Sequence, residues 1–170
     1  PKSDFRNAWR STKATYGYDL VSLNHYAVRN AESFLVKRDR GRVNHVDRDQ
    51  GLAYWFRMNI NGTEDHSIQK RIPMMEEKLK ALMADPEIAR QHYRCVAAHK
   101  DKIAALKNNN EQMAFYQSLI SPRMEKLSTM HRYFGSNVFF NGPQCIPDEI
   151  VWKDHPKDFL FTVERQNDPS

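Results

Sequence analysis

Apolar residues recur at helical spacing over much of the chain, and the clearest stretch runs from Asp85 to Lys107. Asp85 is suited to cap a helix and Pro86 to open one, because the N–H that proline lacks has no partner at that position. Seven side chains of this stretch recur every three or four residues and so share one helix face. We therefore predict a long central helix of a helical core. The shared face comprises Ile88, His92, Cys95, Val96, His99, Ile103 and Leu106.

The same periodicity predicts shorter helices on both sides of the central one. Capping residues, prolines and glycines mark where they begin and end. Asn30 interrupts the apolar stripe of one of them. The expected helices are a short one with Phe5 to Thr12 on one face, one from Leu20 to about Lys37, a buried one from Leu52 to Ile60, and three that open at Pro73, Asn110 and Ser121-Pro122, the last reaching Gly135.

Residues 136–170 differ in character, because four prolines separate short apolar clusters. The residue before a proline favours extended backbone, so an extended arm is expected here. If its apolar clusters were exposed to solvent, they would promote aggregation, so we expect them to be covered by a protein surface. We predict that the arm lies over its own helices or over another subunit. Its interface residues are expected to be Phe139, Phe140, Trp152, Phe159 and Phe161.

The predicted fold is therefore mainly α, an irregular antiparallel helical bundle with an extended, proline-containing C-terminal arm. Three segments are expected within one domain with extensions: a basic N-terminal helical segment and loop over residues 1–48, a helical core over 49–135, and the arm over 136–170. A length of 170 residues and a hydrophobic content of 40% are enough for one core. Six glycines are few for a β-sandwich or barrel rich in tight turns.

Composition also restricts the compartment. Two cysteines, Cys95 and Cys145, do not make a disulfide framework, so reduced thiols in a cytosolic or matrix-like compartment are expected. No apolar run approaches the roughly 18 residues that a membrane-spanning helix needs. We therefore expect no transmembrane segment of its own.

The net charge of +5 arises in the first third of the chain, where residues 1–60 hold 11 basic and 6 acidic side chains. Four cations, Lys37, Arg38, Arg40 and Arg42, lie within six positions. Arginine forks fit phosphate oxygens, so this patch is a candidate contact for RNA or anionic lipid. The alternative is a solvated helix end, whose cations complement its carbonyl groups and which Gly41 terminates.

Two clusters carry ligand chemistry. His92, Cys95 and His99 lie at i, i+3 and i+7 and are a candidate zinc or copper site, with Cys145 as a fourth ligand. That spacing is not a usual zinc signature, and a helix–helix contact is the favoured interpretation. His45, Asp47 and Asp49 alternate and would share one side of an extended loop, as a cation site or acid–base pair. A polar loop is favoured there, so neither a cofactor nor a catalytic residue is predicted.

The sequence contains no nucleotide-binding glycine loop, nucleophile elbow, HExxH or CxxC. The expected function is a non-catalytic accessory subunit of a large assembly, most readily a mitochondrial respiratory-chain or ATP-synthase complex, with other protein subunits as partners. The expected location is mitochondrial, otherwise cytoplasmic. This choice of assembly rests on where accessory chains of this kind commonly occur and on no particular residue of the sequence. One alternative is a ribonucleoprotein component, such as a mitochondrial ribosomal protein, that uses residues 37–42; another is a metal-dependent enzyme.

Overall fold

The computed structural model describes residues 25–41 and 50–164, which form eight α-helices and no β-strand. The predicted mainly α fold is confirmed. The expected helix around Phe5 to Thr12 lies outside the described residues. The helices are α1 (Ala31–Arg40), α2 (Leu52–Met58), α3 (Ile72–Met83), α4 (Pro86–Lys107), α5 (Asn110–Leu119), α6 (Pro122–Ser128), α7 (Ser136–Asn141) and α8 (Asp148–Val151), with 3-10 turns at Ser67–Arg71, His131–Tyr133 and Pro143–Cys145.

The hydrophobic core lies between α1 and α2 on one side and the elements after α4 on the other. Aromatic rings join the first pair, since Phe34 on α1 and Trp55 on α2 lie 5.0 Å apart between ring centroids. The predicted buried helix near Leu52 to Ile60 is thus confirmed as α2. The large side chains that are almost wholly buried come from many elements: Leu35, Phe56, Leu127, Val138, Ile146 and Val151.

Helix α4 begins and ends where the sequence predicts, but most of it does not belong to the core. The Asp85 carboxylate accepts hydrogen bonds from the backbone N–H groups of Glu87 and Ile88, at 2.8 and 3.3 Å. Leu106 is its only buried residue. The prediction of a central core helix is therefore wrong over the first half of α4, because periodicity shows which residues share a face and not what that face contacts.

Helix α1 begins later than predicted. Residues 25–30 are not helical, and the Asn30 side chain accepts a hydrogen bond from the Ser33 N–H at 2.7 Å. Asn30, which interrupts the apolar stripe, is thus the cap of α1. This is a common use of asparagine, whose side chain competes with the backbone inside a helix.

Helix α6 is shorter than predicted and ends at Ser128 instead of continuing to Gly135. A 3-10 turn follows, and its His131 ring binds backbone carbonyl oxygens of both Ser128 and Phe56. These bonds direct the chain back toward α2. Tertiary contacts therefore override the helical pattern here.

The C-terminal arm is only partly extended. Its first half contains α7, a 3-10 turn and α8, and no helix occurs from Trp152 to Glu164. Phe161 pairs with Phe134 as a parallel bridge, through Phe161 N–H to Tyr133 O at 2.8 Å and Gly135 N–H to Phe161 O at 2.9 Å. The arm thus lies over the protein's own helices.

Candidate functional site

Helix α3 and the first half of α4 form a projecting hairpin, defined here as residues 72–98. Within it, Met83 and Ala89 alone are half-buried, and every other residue is exposed. Both lie beside the tight turn at Ala84 and Asp85, where the two helices approach each other. The hairpin therefore rests on itself near its tip and makes little contact with the core.

One side of α3 carries an apolar ridge. Its members recur at spacings of three and four residues and so lie on one helix face. Side chains of this kind are normally buried in a folded domain. The ridge consists of Ile72, Met75, Leu79 and Leu82, which are 41%, 56%, 48% and 55% exposed. Ile88, Tyr93 and Val96 on α4 are exposed as well.

The second half of α4 fastens the hairpin to α1. His99 Nε2 lies 3.2 Å from Ser33 Oγ, and Lys102 Nζ lies 2.7 Å from Asp39 Oδ2. One turn further on, Lys107 donates to Glu32 at 3.0 Å. That hydrogen bond raises the pKa of Lys107. The hairpin thus projects from a fixed base.

The three residues proposed as metal ligands lie along this exposed surface. His92, Cys95 and His99 are all exposed, and the helix–helix contact favoured from the sequence is present at His99, whose Nε2 lies 3.2 Å from Ser33 Oγ of α1. Within residues 25–41 and 50–164, no three His, Cys, Asp or Glu side chains are grouped to hold a metal ion. His45, Asp47 and Asp49 lie outside the described residues.

The four cations of the basic patch have different surroundings. Lys37 is half-buried and donates to Ala27 O at 2.6 Å and to Tyr54 Oη at 3.2 Å. Arg38 lies over the Phe115 ring at 4.3 Å from its centroid. Arg40 is exposed, and Arg42 lies outside the described residues. Two of the four therefore contribute to packing within the chain.

The five aromatic residues assigned to the arm interface divide in the same way. Phe139 stacks on Phe56 and His131, and Phe159 stacks on His155 at 3.9 Å between centroids. Phe161 meets Phe134 edge-on. Phe140 and Trp152 remain exposed on the surface. The first three therefore pack within the chain, whereas more than half of the Phe140 and Trp152 surfaces stay exposed.

The side chains with a shifted pKa lie in different parts of the structure. Burial raises the pKa of Cys145, whose thiol lies 3.9 Å from Val138 O. Hydrogen bonds from Arg90 and Gln91 lower the pKa of Glu87, and those from Ser67 lower the pKa of Asp65. These groups lie on separate elements, so they do not compose an acid–base pair.

Sequence reasoning missed two features of the surface. It placed the α3 ridge in the core, and it did not connect Arg29 or His99 with the basic patch, although both line one cavity with Lys37 and Arg40. Both features depend on how helices are arranged, which spacing alone does not specify. None of the described helices has the length and hydropathy needed to cross a lipid bilayer. Comparisons with protein-family models, curated proteins and solved structures found no match to the chain.

Proposed function

We propose that the chain is a non-catalytic accessory subunit of a larger protein assembly and that the projecting hairpin is its docking element. The observation that carries the proposal is the exposed ridge of α3. If a partner buried the part of these side chains that is exposed, the free energy of binding would gain about 1 kcal/mol per residue. The exposed Phe140 and Trp152 provide a second contact area for protein.

The length of α3 supports this interpretation. It has 12 residues, and isolated helices of about 12–15 residues are marginal in water. Most of the stability of such a helix comes from packing its apolar face. In the described part of the chain, α3 is covered only near Met83. A partner surface would supply the missing contacts.

Membership of a mitochondrial respiratory-chain, ATP-synthase or ribosomal assembly stays a prediction, as does the mitochondrial location. The basic patch supports the ribonucleoprotein alternative less than the hairpin supports protein docking, because Lys37 and Arg38 already contribute to packing. Metal-dependent catalysis has no grouped ligand set in the described residues.

The experiment is cross-linking of the full chain within native extracts of its source cells, followed by mass spectrometry. Lys78 and Lys80 lie on α3 beside the ridge and are exposed. We expect their cross-links to reach a recurring set of other proteins at fixed stoichiometry. Migration of the native chain as a monomer, with cross-links only to itself, would contradict the proposal.

A pair of variants assigns any such contact to the ridge. Leu79→Glu places a charge in the apolar ridge, and Ala81→Glu places the same charge on the opposite, exposed side of α3. We expect the first variant to dissociate from the assembly and the second to remain. Both should fold, since neither position is buried. Equal retention of the two would exclude the ridge as the docking face.

A further inference from the structure

The structure contains a cavity beside α1 with an unusual collection of cations. It has a volume of about 370 Å³ and lies where residues 26–29, α1 and α4 meet. Arg29, Lys37, Arg40 and His99 contribute to its lining, together with Ser33. No acidic side chain of the described residues lines it. A cavity lined by one sign of charge attracts and concentrates ions of the opposite sign.

Three elements of the structure bring the lining residues of this cavity together. Ser33, Lys37 and Arg40 follow one another at spacings of four and three residues, which places them along one face of α1. Lys37 binds Ala27 O at 2.6 Å and so ties the segment that carries Arg29 against the helix. From the opposite side, Ser33 Oγ holds the His99 ring of α4 at 3.2 Å. The site is therefore built from tertiary contacts.

Its cations are not neutralised within the described chain. Lys37 is half-buried, and two of its three N–H groups are donated, to a carbonyl and a phenol oxygen, with no carboxylate within ion-pair distance among the described residues. The side chains of Arg29 and Arg40 are exposed and make no hydrogen bond or ion pair with a described residue. A partly buried charge is costly unless an opposite charge compensates it.

A second cavity provides a contrast. It measures about 470 Å³ and also gathers cations, among them Lys126, Arg132 and Lys153. There Asp154 lies among them and supplies a counter-charge from the chain. The cavity beside α1 has no such residue in the described part of the chain, so its described lining carries a net positive charge that an anionic ligand would complement.

We propose that the cavity beside α1 binds the phosphate group of an organic phosphate. Two guanidinium groups and an ammonium group match a phosphate group better than a carboxylate, because a phosphate group offers more acceptor oxygens to the several donors. The volume exceeds that of one phosphate, being roughly a dozen times the 30 Å³ share of a water molecule. The apolar lining, which includes Val28 and Phe34, receives the organic body. The phosphate belongs either to a free metabolite or to a lipid headgroup.

The test uses the full chain, two phosphate probes and single-stranded RNA for comparison. Inorganic pyrophosphate is titrated by calorimetry, and vesicles of phosphatidylcholine with or without phosphatidylglycerol are used for cosedimentation. The test variant is R29Q/R40Q, which removes two exposed guanidinium groups and no described hydrogen bond. The matched control is R71Q/R94Q, which makes the same substitutions and charge change at two exposed positions, one just before the projecting hairpin and one within it.

We expect R29Q/R40Q to weaken pyrophosphate binding at least tenfold and the control to stay within twofold of the parent. If the chain binds phosphatidylglycerol vesicles and R29Q/R40Q abolishes that binding, the phosphate belongs to a lipid headgroup. If the chain binds pyrophosphate but not these vesicles, the phosphate belongs to a free ligand. Equal weakening in both variants would overturn the proposal as generic surface charge. The absence of binding to both phosphate probes would also overturn the proposal. Single-stranded RNA that binds in preference to pyrophosphate, and equally to both variants, would overturn it as well.

Discussion

His131 shows how one side chain joins separate elements at the residue scale. Its ring forms a three-ring cluster with Phe56 and Phe139, at centroid distances of 5.3 and 5.2 Å from His131 and 5.3 Å between the two phenylalanines. Its Nδ1 lies 3.0 Å from Ser128 O, and its Nε2 lies 2.6 Å from Phe56 O. His131 thus connects α2 and α7 to the turn that follows α6.

Two substitutions of His131 separate ring packing from hydrogen bonding. His131→Phe keeps an aromatic ring in contact with the two phenylalanines and loses the ring nitrogens that bind the carbonyl groups, so we expect a loss of about 1–3 kcal/mol in the free energy of unfolding. His131→Ala also loses the packing and should cost roughly 1–2 kcal/mol more. Urea denaturation measures both. Equal losses would mean that the stacked ring contributes nothing.

The two cysteines should differ in reactivity. Burial raises the pKa of Cys145 from its ordinary value of 9.0, so at any pH below that value its thiolate fraction falls below that of an unperturbed thiol. Cys95 is exposed on α4. We expect iodoacetamide to alkylate Cys95 at least about tenfold faster near neutral pH, as followed by peptide mass spectrometry. In denaturant the two rates should converge. Faster labelling of Cys145 in the folded chain would refute its burial.

At the scale of elements, Arg123 joins α6 to the C-terminal arm. Its Nε donates to Asp148 Oδ1 at 2.8 Å, and its Nη2 donates to the carbonyl oxygens of Pro143 and Ile146. Asp148 is largely exposed, so that ion pair contributes little by itself. The two carbonyl groups have greater weight, because their removal from water requires a donor in return.

Arg123→Lys tests this connection. Lysine keeps the charge but cannot present the planar fork that reaches three acceptors, so we expect a loss of about 1–3 kcal/mol in the free energy of unfolding. The same change at exposed Arg94, whose side chain makes no hydrogen bond or ion pair with a described residue, should stay within about 0.5 kcal/mol. Asp148→Asn should resemble that control. A large effect of Asp148→Asn would instead assign the stability to the ion pair.

The helices themselves could be predicted, because caps and periodicity are local properties of the chain. Asp85 and Pro86 marked the start of α4 correctly. The direction in which an apolar face points is not local. The α3 ridge has the same spacing as a core helix and yet lies exposed, while Phe159 and Phe161 of the arm pack inside the chain. The same holds for the cavity beside α1. Lys37 and Arg40 belong to the basic patch that the sequence indicates, whereas Arg29 and His99 are brought to them only by the tertiary structure.

At the scale of the whole molecule, the described chain has a packed region and an uncovered one. Its core joins α1 and α2 to α6, α7 and α8, with Leu35, Leu127 and Val138 fully buried. The projecting hairpin shares little of that burial. Because local unfolding requires least free energy where few apolar contacts are made, the two regions should differ in how readily their backbone opens.

Amide hydrogen exchange of the isolated full chain measures that difference. We expect the amides of α3 to exchange far faster than those of α1 and α6, because opening the hairpin exposes little additional apolar surface. Leu127→Ala, in the core, should lower the free energy of unfolding by about 2–5 kcal/mol, whereas Leu79→Ala should change it by less than about 1 kcal/mol. When the chain is part of its assembly, α3 should become protected. If α3 were already as protected as α6 in the isolated chain, the hairpin would need no partner, and the exposed ridge would lose its role as a docking face.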